Sequence, residues 1–142
     1  MQVAQAIEIP VVQSNGARIP LIGLGTWDLR GKACVSMVEE ALRLGYRHID
    51  TAAMYRNEEA VGEGLRASGV KRADVFITTK VWSSDLRAGD FERSARESLG
   101  KLELDSIDLL LIHWPNSSVP LKETIGALCK MKREGIARHV GV

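Results

Sequence analysis

Short apolar, β-type runs return along the chain at Pro20–Thr26, Arg47–Thr51, Val75–Val81, Ile107–Trp114 and Ala137–Val142. The interval is roughly thirty residues, the length of one strand–helix unit. Between the runs, apolar positions recur at the helical period. Lys32–Leu44 places Cys34, Val38, Ala41 and Leu42 on one face. A second helix opens at Asn57, read as its N-cap, with Glu58 and Glu59 in the first turn where the helix dipole favours acids. It closes near Ser68-Gly69. A third runs from Asp90 to Leu102 with Phe91, Ala95, Leu99 and Leu102 in phase. A fourth runs from near Pro120 to Glu134-Gly135, with Leu121, Ile125, Leu128 and Met131 as its apolar stripe. Ahead of these, Ile7–Val12 and Ala17–Ile19 flank Ser14-Asn15-Gly16, and Asn-Gly between β-type runs signals a hairpin.

Five strands alternating with four helices imply an α/β fold with parallel strands and right-handed crossovers. Ile107–Ile112 is almost wholly apolar, as expected of a strand covered on both faces. Two architectures fit this order: an open doubly wound sheet and a (β/α)8 barrel. The dinucleotide fingerprint of the open sheet needs a third glycine, but Gly23-Leu24-Gly25 is followed by Thr26, Trp27 and Asp28. A flavodoxin-type open sheet needs no such motif and stays as an alternative.

Composition narrows the function classes. The 142 residues suffice for one domain with a real core. Nineteen basic residues against eighteen acidic ones give a net charge of +1, which argues against nucleic-acid binding by phosphate neutralisation. No apolar run approaches the ~20 residues of a membrane helix. Met1–Pro10 lacks the basic flank and apolar core of a secretion signal. Cys34 and Cys129 lie far apart, without metal-ligand spacing, so neither a disulfide scaffold nor a metal site is expected. A reducing, cytoplasmic setting fits best.

The strand ends carry the candidate chemistry. Asp50, Lys80 and His113 sit at or near the C-terminal ends of three successive strand windows, where α/β folds place their sites. Tyr55 follows Asp50 in the next loop. Period-two counting puts His113 on one face with Leu109 and Leu111, and Lys80 with Phe76 and Thr78. Each residue also has a purely structural reading: a turn aspartate, a solvated lysine, a packed histidine, a packing tyrosine. His48 is read as a layer residue inside the sheet and His139 as surface.

These residues lie in segments that resemble the aldo-keto reductases. Gly45-Tyr46-Arg47-His48-Ile49-Asp50-Thr51-Ala52, continuing through Tyr55, Asn57, Glu58 and Gly62, is similar to that family's first signature. Gly23-Leu24-Gly25-Thr26-Trp27, Thr78-Thr79-Lys80-Val81-Trp82 and Leu111-Ile112-His113-Trp114-Pro115 resemble further landmarks, in order and at the right spacing. Within the family the chain is most similar to bacterial 2,5-diketo-D-gluconate reductases. The resemblance implies a (β/α)8 TIM-barrel fold and NADPH-dependent reduction of a small carbonyl substrate. It implies Tyr55 as general acid, Lys80 and Asp50 as its tuning pair, and His113 as the group that orients the carbonyl. Thr26, Trp27 and Asp50 would border the cofactor, and Trp27, Trp82, His113 and Trp114 the substrate. The residue types suit the task, because hydride arriving at a carbonyl carbon leaves charge on oxygen that a positioned acid must quench.

Gly141-Val142 resembles the start of the fifth strand's signature. The Ser-Asn pair that follows there, strands six to eight, and the cofactor-phosphate anchors have no counterpart in the 142 residues. The expected fold is therefore about the first half of a barrel: one partial domain over residues 1–142, with the hairpin, five strands and four helices. Such a chain would bind NADPH weakly and expose sheet edges, unless a second copy or a complementary C-terminal half covers them. The competing reading is a catalytically inactive remnant or interaction module.

Overall fold

The computed structural model describes residues 8–142. Ile7, the first residue of the expected hairpin arm, and the segment Met1–Ala6 lie outside the described residues. The hairpin consists of β1 (Val11–Ser14) and β2 (Ala17–Pro20), antiparallel, with Val11 opposite Pro20. Asn15 and Gly16 both take positive φ, the geometry that a two-residue hairpin loop matched to strand twist requires. Ala17 and Pro20 are its buried residues.

A second sheet follows, built from β3 (Leu24–Gly25), β4 (His48–Asp50), β5 (Phe76–Val81), β6 (Ile107–Ile112) and β7 (Ala137–Gly141). All neighbouring pairs are parallel, and the spatial order β3-β4-β5-β6-β7 is the sequence order. A doubly wound sheet reverses its order at a switch point. Sequential order is what a barrel requires, and it removes the flavodoxin-type alternative. The first strand is shorter than its apolar window, because Leu21 gives its N–H to the Pro10 carbonyl in the hairpin rather than to the sheet.

Four helices connect the strands: α1 (Gly31–Arg43), α2 (Glu58–Ala67), α3 (Ala88–Leu102) and α4 (Leu121–Arg133). They cover one face of the sheet through two apolar clusters. In the first, Cys34, Val38 and Leu42 of α1 and Val61 and Leu65 of α2 meet Ile49 and Ile77. In the second, Phe91 and Ala95 of α3 and Leu128 and Met131 of α4 meet Val81, Leu110 and Ile112. The expected stripe of α1 is the buried one, residue for residue. That of α4 is not: its buried side chains are Thr124, Ala127, Leu128 and Met131, while Leu121 is exposed in the first turn. Two glycines set the helix spacing. A Cβ on Gly62 would lie 2.6 Å from the Leu102 carbonyl oxygen, and one on Gly64 2.7 Å from that of Val35.

The opposite face carries His48, Asp50, Phe76, Thr78, Lys80, Leu109, Leu111 and His139. It is the concave, inner surface of the strand array. Leu109 and Leu111 are half-buried there, so β6 is not covered on both faces as its apolar run suggests. His48 lies in this layer, with Nε2 2.9 Å from the Thr78 hydroxyl, as expected. His139 is half-buried rather than fully at the surface, since its strand turns it inward beside Leu109. Among the described residues, no helix is long and apolar enough to cross a membrane.

Candidate active site

Parallel strands share a direction, so their C-terminal ends form one rim. Asp50 ends β4, Lys80 is the penultimate residue of β5 and His113 follows β6 directly. Tyr55 closes a 3₁₀ turn, Ala53–Tyr55, that leaves β4 over the same rim. The structure brings these four side chains together.

Lys80 is the hub. Its ammonium has three protons, and three acceptors surround it: a carboxylate oxygen of Asp50, the Thr51 carbonyl at 2.8 Å and the Tyr55 hydroxyl at 3.4 Å. The Lys80 side chain is only 12% exposed, and an ammonium at that depth needs a counter-charge, which Asp50 supplies. The contact from the ammonium to the neutral Tyr55 hydroxyl is long for a hydrogen bond, and it strengthens when negative charge develops on the phenol oxygen.

Aromatic rings frame the hub. Tyr55 meets Trp27 edge-to-face at 5.1 Å between centroids and His113 at 5.7 Å, and His113 meets Trp82 at 5.0 Å. Trp114 stands outside this sequence of contacts and is 61% exposed. Burial lowers the pKa of His113, and the Lys80 charge lowers it further against a smaller opposing pull from Asp50. His113 is therefore neutral near pH 7. Its Nδ1 is buried without a partner among the described residues. A proton on Nε2 leaves an unpartnered lone pair at Nδ1 rather than an unpartnered N–H. That tautomer makes Nε2 a hydrogen-bond donor.

A buried polar network lies behind the rim. The Thr26 hydroxyl donates to the Thr51 hydroxyl at 2.9 Å, and Thr51 donates to Asn57 Oδ1 at 3.0 Å. Asn57 Nδ2 donates to the carbonyls of Thr26 at 2.8 Å and Leu29 at 3.0 Å. The network ties the loop carrying Trp27 to the loop carrying Tyr55. It corrects one expectation. Asn57 stands at the N-cap position, but its side chain makes no cap bond because the loop carbonyls have claimed it. Thr26 is fully buried, and its hydroxyl is committed to Thr51. Beside the network, Glu58 is 2% exposed and accepts from the Thr79 hydroxyl at 2.5 Å and the Ser98 hydroxyl at 3.0 Å. Burial pushes its carboxyl pKa up, against the pull of those two hydroxyls.

The model of the Aldo/keto reductase family matches residues 21–142, nearly the whole described chain. The chain belongs to the aldo/keto reductase family. Among the relatives of this aldo/keto reductase, the methylglyoxal reductase DkgB of Escherichia coli O157:H7 is 47% identical over 126 residues, covering 87% of this chain and 47% of that protein. A crystal structure described as a 2,5-diketo-D-gluconic acid reductase B superposes with a TM-score of 0.91 at 49% identity, covering 94% of this chain and 48% of the other. The Bombyx mori aldo-keto reductase, solved in complex with NADP, gives a TM-score of 0.87 at 36% identity over 96% of this chain and 51% of its own. The chain thus spans about half the length of the relatives it matches. Residue types at strand ends pointed to Asp50, Tyr55, Lys80 and His113. They gave no role to Asn57, Thr51 and Glu58 as supports, because those contacts join segments about twenty to forty positions apart.

Proposed function

We propose that this aldo/keto reductase chain carries the proton-transfer half of an NADPH-dependent carbonyl reduction, acting as one partial barrel domain over residues 1–142. The observation that carries the reading is the Lys80 ammonium, held by Asp50 and directed at the Tyr55 hydroxyl beside a neutral His113. Substrates of the class named for its relatives, small oxo-aldehydes and keto-sugar acids, offer the carbonyl oxygen this constellation suits.

The side chains of the rim are a phenol, an imidazole, an ammonium–carboxylate pair and indoles, and none of them can give a hydride. The outward ring of Trp27, 57% exposed, is a flat apolar surface suited to a nicotinamide. Trp27 and Asp50 would border the cofactor, while Trp82, His113 and Trp114 line the substrate side. NADPH, when bound, supplies the hydride. His113 donates from Nε2 to the carbonyl oxygen and fixes its position. Tyr55 passes its hydroxyl proton to that oxygen. Lys80 then holds the phenolate, an interaction that grows only as the proton leaves and so favours the transition state over the ground state. Asp50 keeps Lys80 in place.

Leu109 and Leu111 stand half-exposed on the inner face. We include in the reading a second copy or a complementary barrel half that covers this face, in a reducing, cytoplasmic setting. The same exposure supports the second reading, a non-catalytic interaction module. The test is NADPH oxidation with methylglyoxal, measured across a sizing-chromatography peak, alone and with a C-terminal barrel half added. Tyr55→Phe should lower turnover by at least ~10²-fold with the fold unchanged. Undiminished turnover in Tyr55→Phe would remove the proposed acid. No turnover together with no saturable NADPH fluorescence change would leave the interaction module.

A further inference from the structure

The end of the strand array opposite the rim carries its own concentration of charge. A cavity of about 240 Å³ opens there between the hairpin and the N-terminal ends of the strands. Three guanidinium groups line it from three separate elements: Arg18 of β2, Arg47 just before β4, and Arg138 of β7. Two carboxylates, Asp74 and Asp108, face them.

The donors and acceptors do not balance. Asp108 is already taken, because Arg72 binds its Oδ2 at 2.5 Å while also donating to the carbonyls of Val75 at 2.6 Å and Ser106 at 2.9 Å. Asp108 also accepts from the Ile77 backbone N–H at 2.9 Å. Arg138 approaches the other Asp108 oxygen only to 3.7 Å, beyond hydrogen-bond reach, and otherwise makes a single bond to the Ser106 hydroxyl. Arg47 commits one terminal nitrogen to the carbonyls of Leu42 and Tyr46, leaving the rest of its fork free among the described residues. Arg18 makes no side-chain hydrogen bond or ion pair among the described residues. Three cations with spare donors therefore surround the cavity against one uncommitted carboxylate, Asp74. The whole chain is nearly neutral at +1, so this excess is local. Planar guanidinium forks converging from different directions match the oxygens of a tetrahedral oxyanion. His139 at the cavity edge offers one more polar ring, and Phe76 walls the inner side.

We infer that this cavity is a binding site for a small oxyanion of the phosphate class, held by Arg18, Arg47 and Arg138 at the opposite end of the strands from Tyr55. The inference is independent of the proposed reduction, since none of its residues contacts the rim.

Isothermal titration calorimetry of the full chain with inorganic phosphate at low ionic strength tests it. The wild-type protein should show one saturable site that sulfate competes for and added salt weakens. Arg18→Gln combined with Arg138→Gln should weaken phosphate binding at least ~10-fold, with the circular dichroism of the helices unchanged. Absence of saturable binding in the wild type overturns the inference, and so does an unchanged Kd in the folded double variant. Should the double variant fail to fold, Arg18→Gln alone decides the matter by the same criteria, because its side chain is exposed on the hairpin and supports no described contact.

Discussion

Asn57→Ala is the substitution whose cost follows most directly from the coordinates. Asn57 is 4% exposed and makes three hydrogen bonds, one accepted from Thr51 and two donated to the Thr26 and Leu29 carbonyls. Alanine removes all three and supplies nothing in return. The three abandoned groups are buried or partly buried, so water replaces Asn57 poorly. At about 1 kcal/mol for each bond, and more where a buried group is left alone, the loss is about 3–4 kcal/mol. A domain of this size has a stability of roughly 5–15 kcal/mol, so the variant should fold but melt early. Urea unfolding followed by circular dichroism measures it. With a slope of about 2 kcal/mol/M, the midpoint should fall by about 1.5–2 M. A cycle with Thr51→Val isolates the shared bond and should return a coupling of about 1 kcal/mol. A midpoint within a few tenths molar of wild type, or additive single effects, would show that the loops bearing Trp27 and Tyr55 are fixed by something else.

Two glycine substitutions should have opposite signs. Gly64→Ala puts a Cβ 2.7 Å from the Val35 carbonyl oxygen and should cost about 1–3 kcal/mol, whereas Gly126→Ala in α4 meets nothing within 4 Å and should gain up to about 1 kcal/mol; thermal melts of both decide. Glu58→Gln tests the buried carboxyl through pH. Its folded pKa is raised by burial, so the folded state holds its proton more tightly, and its contribution to stability declines as pH rises above the ordinary carboxyl value near 4.5. The stability of Glu58→Gln relative to wild type should therefore increase from pH 4 toward neutrality, and a flat difference would contradict the assignment. His48 gives the converse trend. Burial lowers its pKa, so stability associated with its neutral form is present above about 6.5 and is lost as pH falls below that; His48→Gln should flatten this acid-side loss in denaturant titrations at stepped pH.

How much of this was legible in the letters follows from the range of each contact. The α1 stripe of Cys34, Val38, Ala41 and Leu42 obeys a local period, and so does the alternation that turns Lys80 and His113 to one face. Local periods are what a sequence displays openly. The parallel order came from strand–helix alternation and needed only the sheet's sequential arrangement to distinguish barrel from open sheet. Asn57 was misread because a local rule, the cap, competed with distant carbonyls on the loop after β3 that satisfy its amide better. Leu121 was misread because helical phase says which side a residue takes but not whether the sheet extends far enough to cover it. The Glu58–Thr79–Ser98 contact joins α2, β5 and α3, and no spacing rule announces a three-element junction.

The sequential strand order bears on how the protein is made. Each strand of the main sheet finds its neighbour about thirty positions earlier in the chain, with one helix between. A ribosome releasing the polypeptide from its N-terminus therefore always presents a new strand to a template already synthesised. Assembly can advance like a zipper in the direction of translation, and Asp50, Tyr55 and Lys80 can meet before His113 has been added.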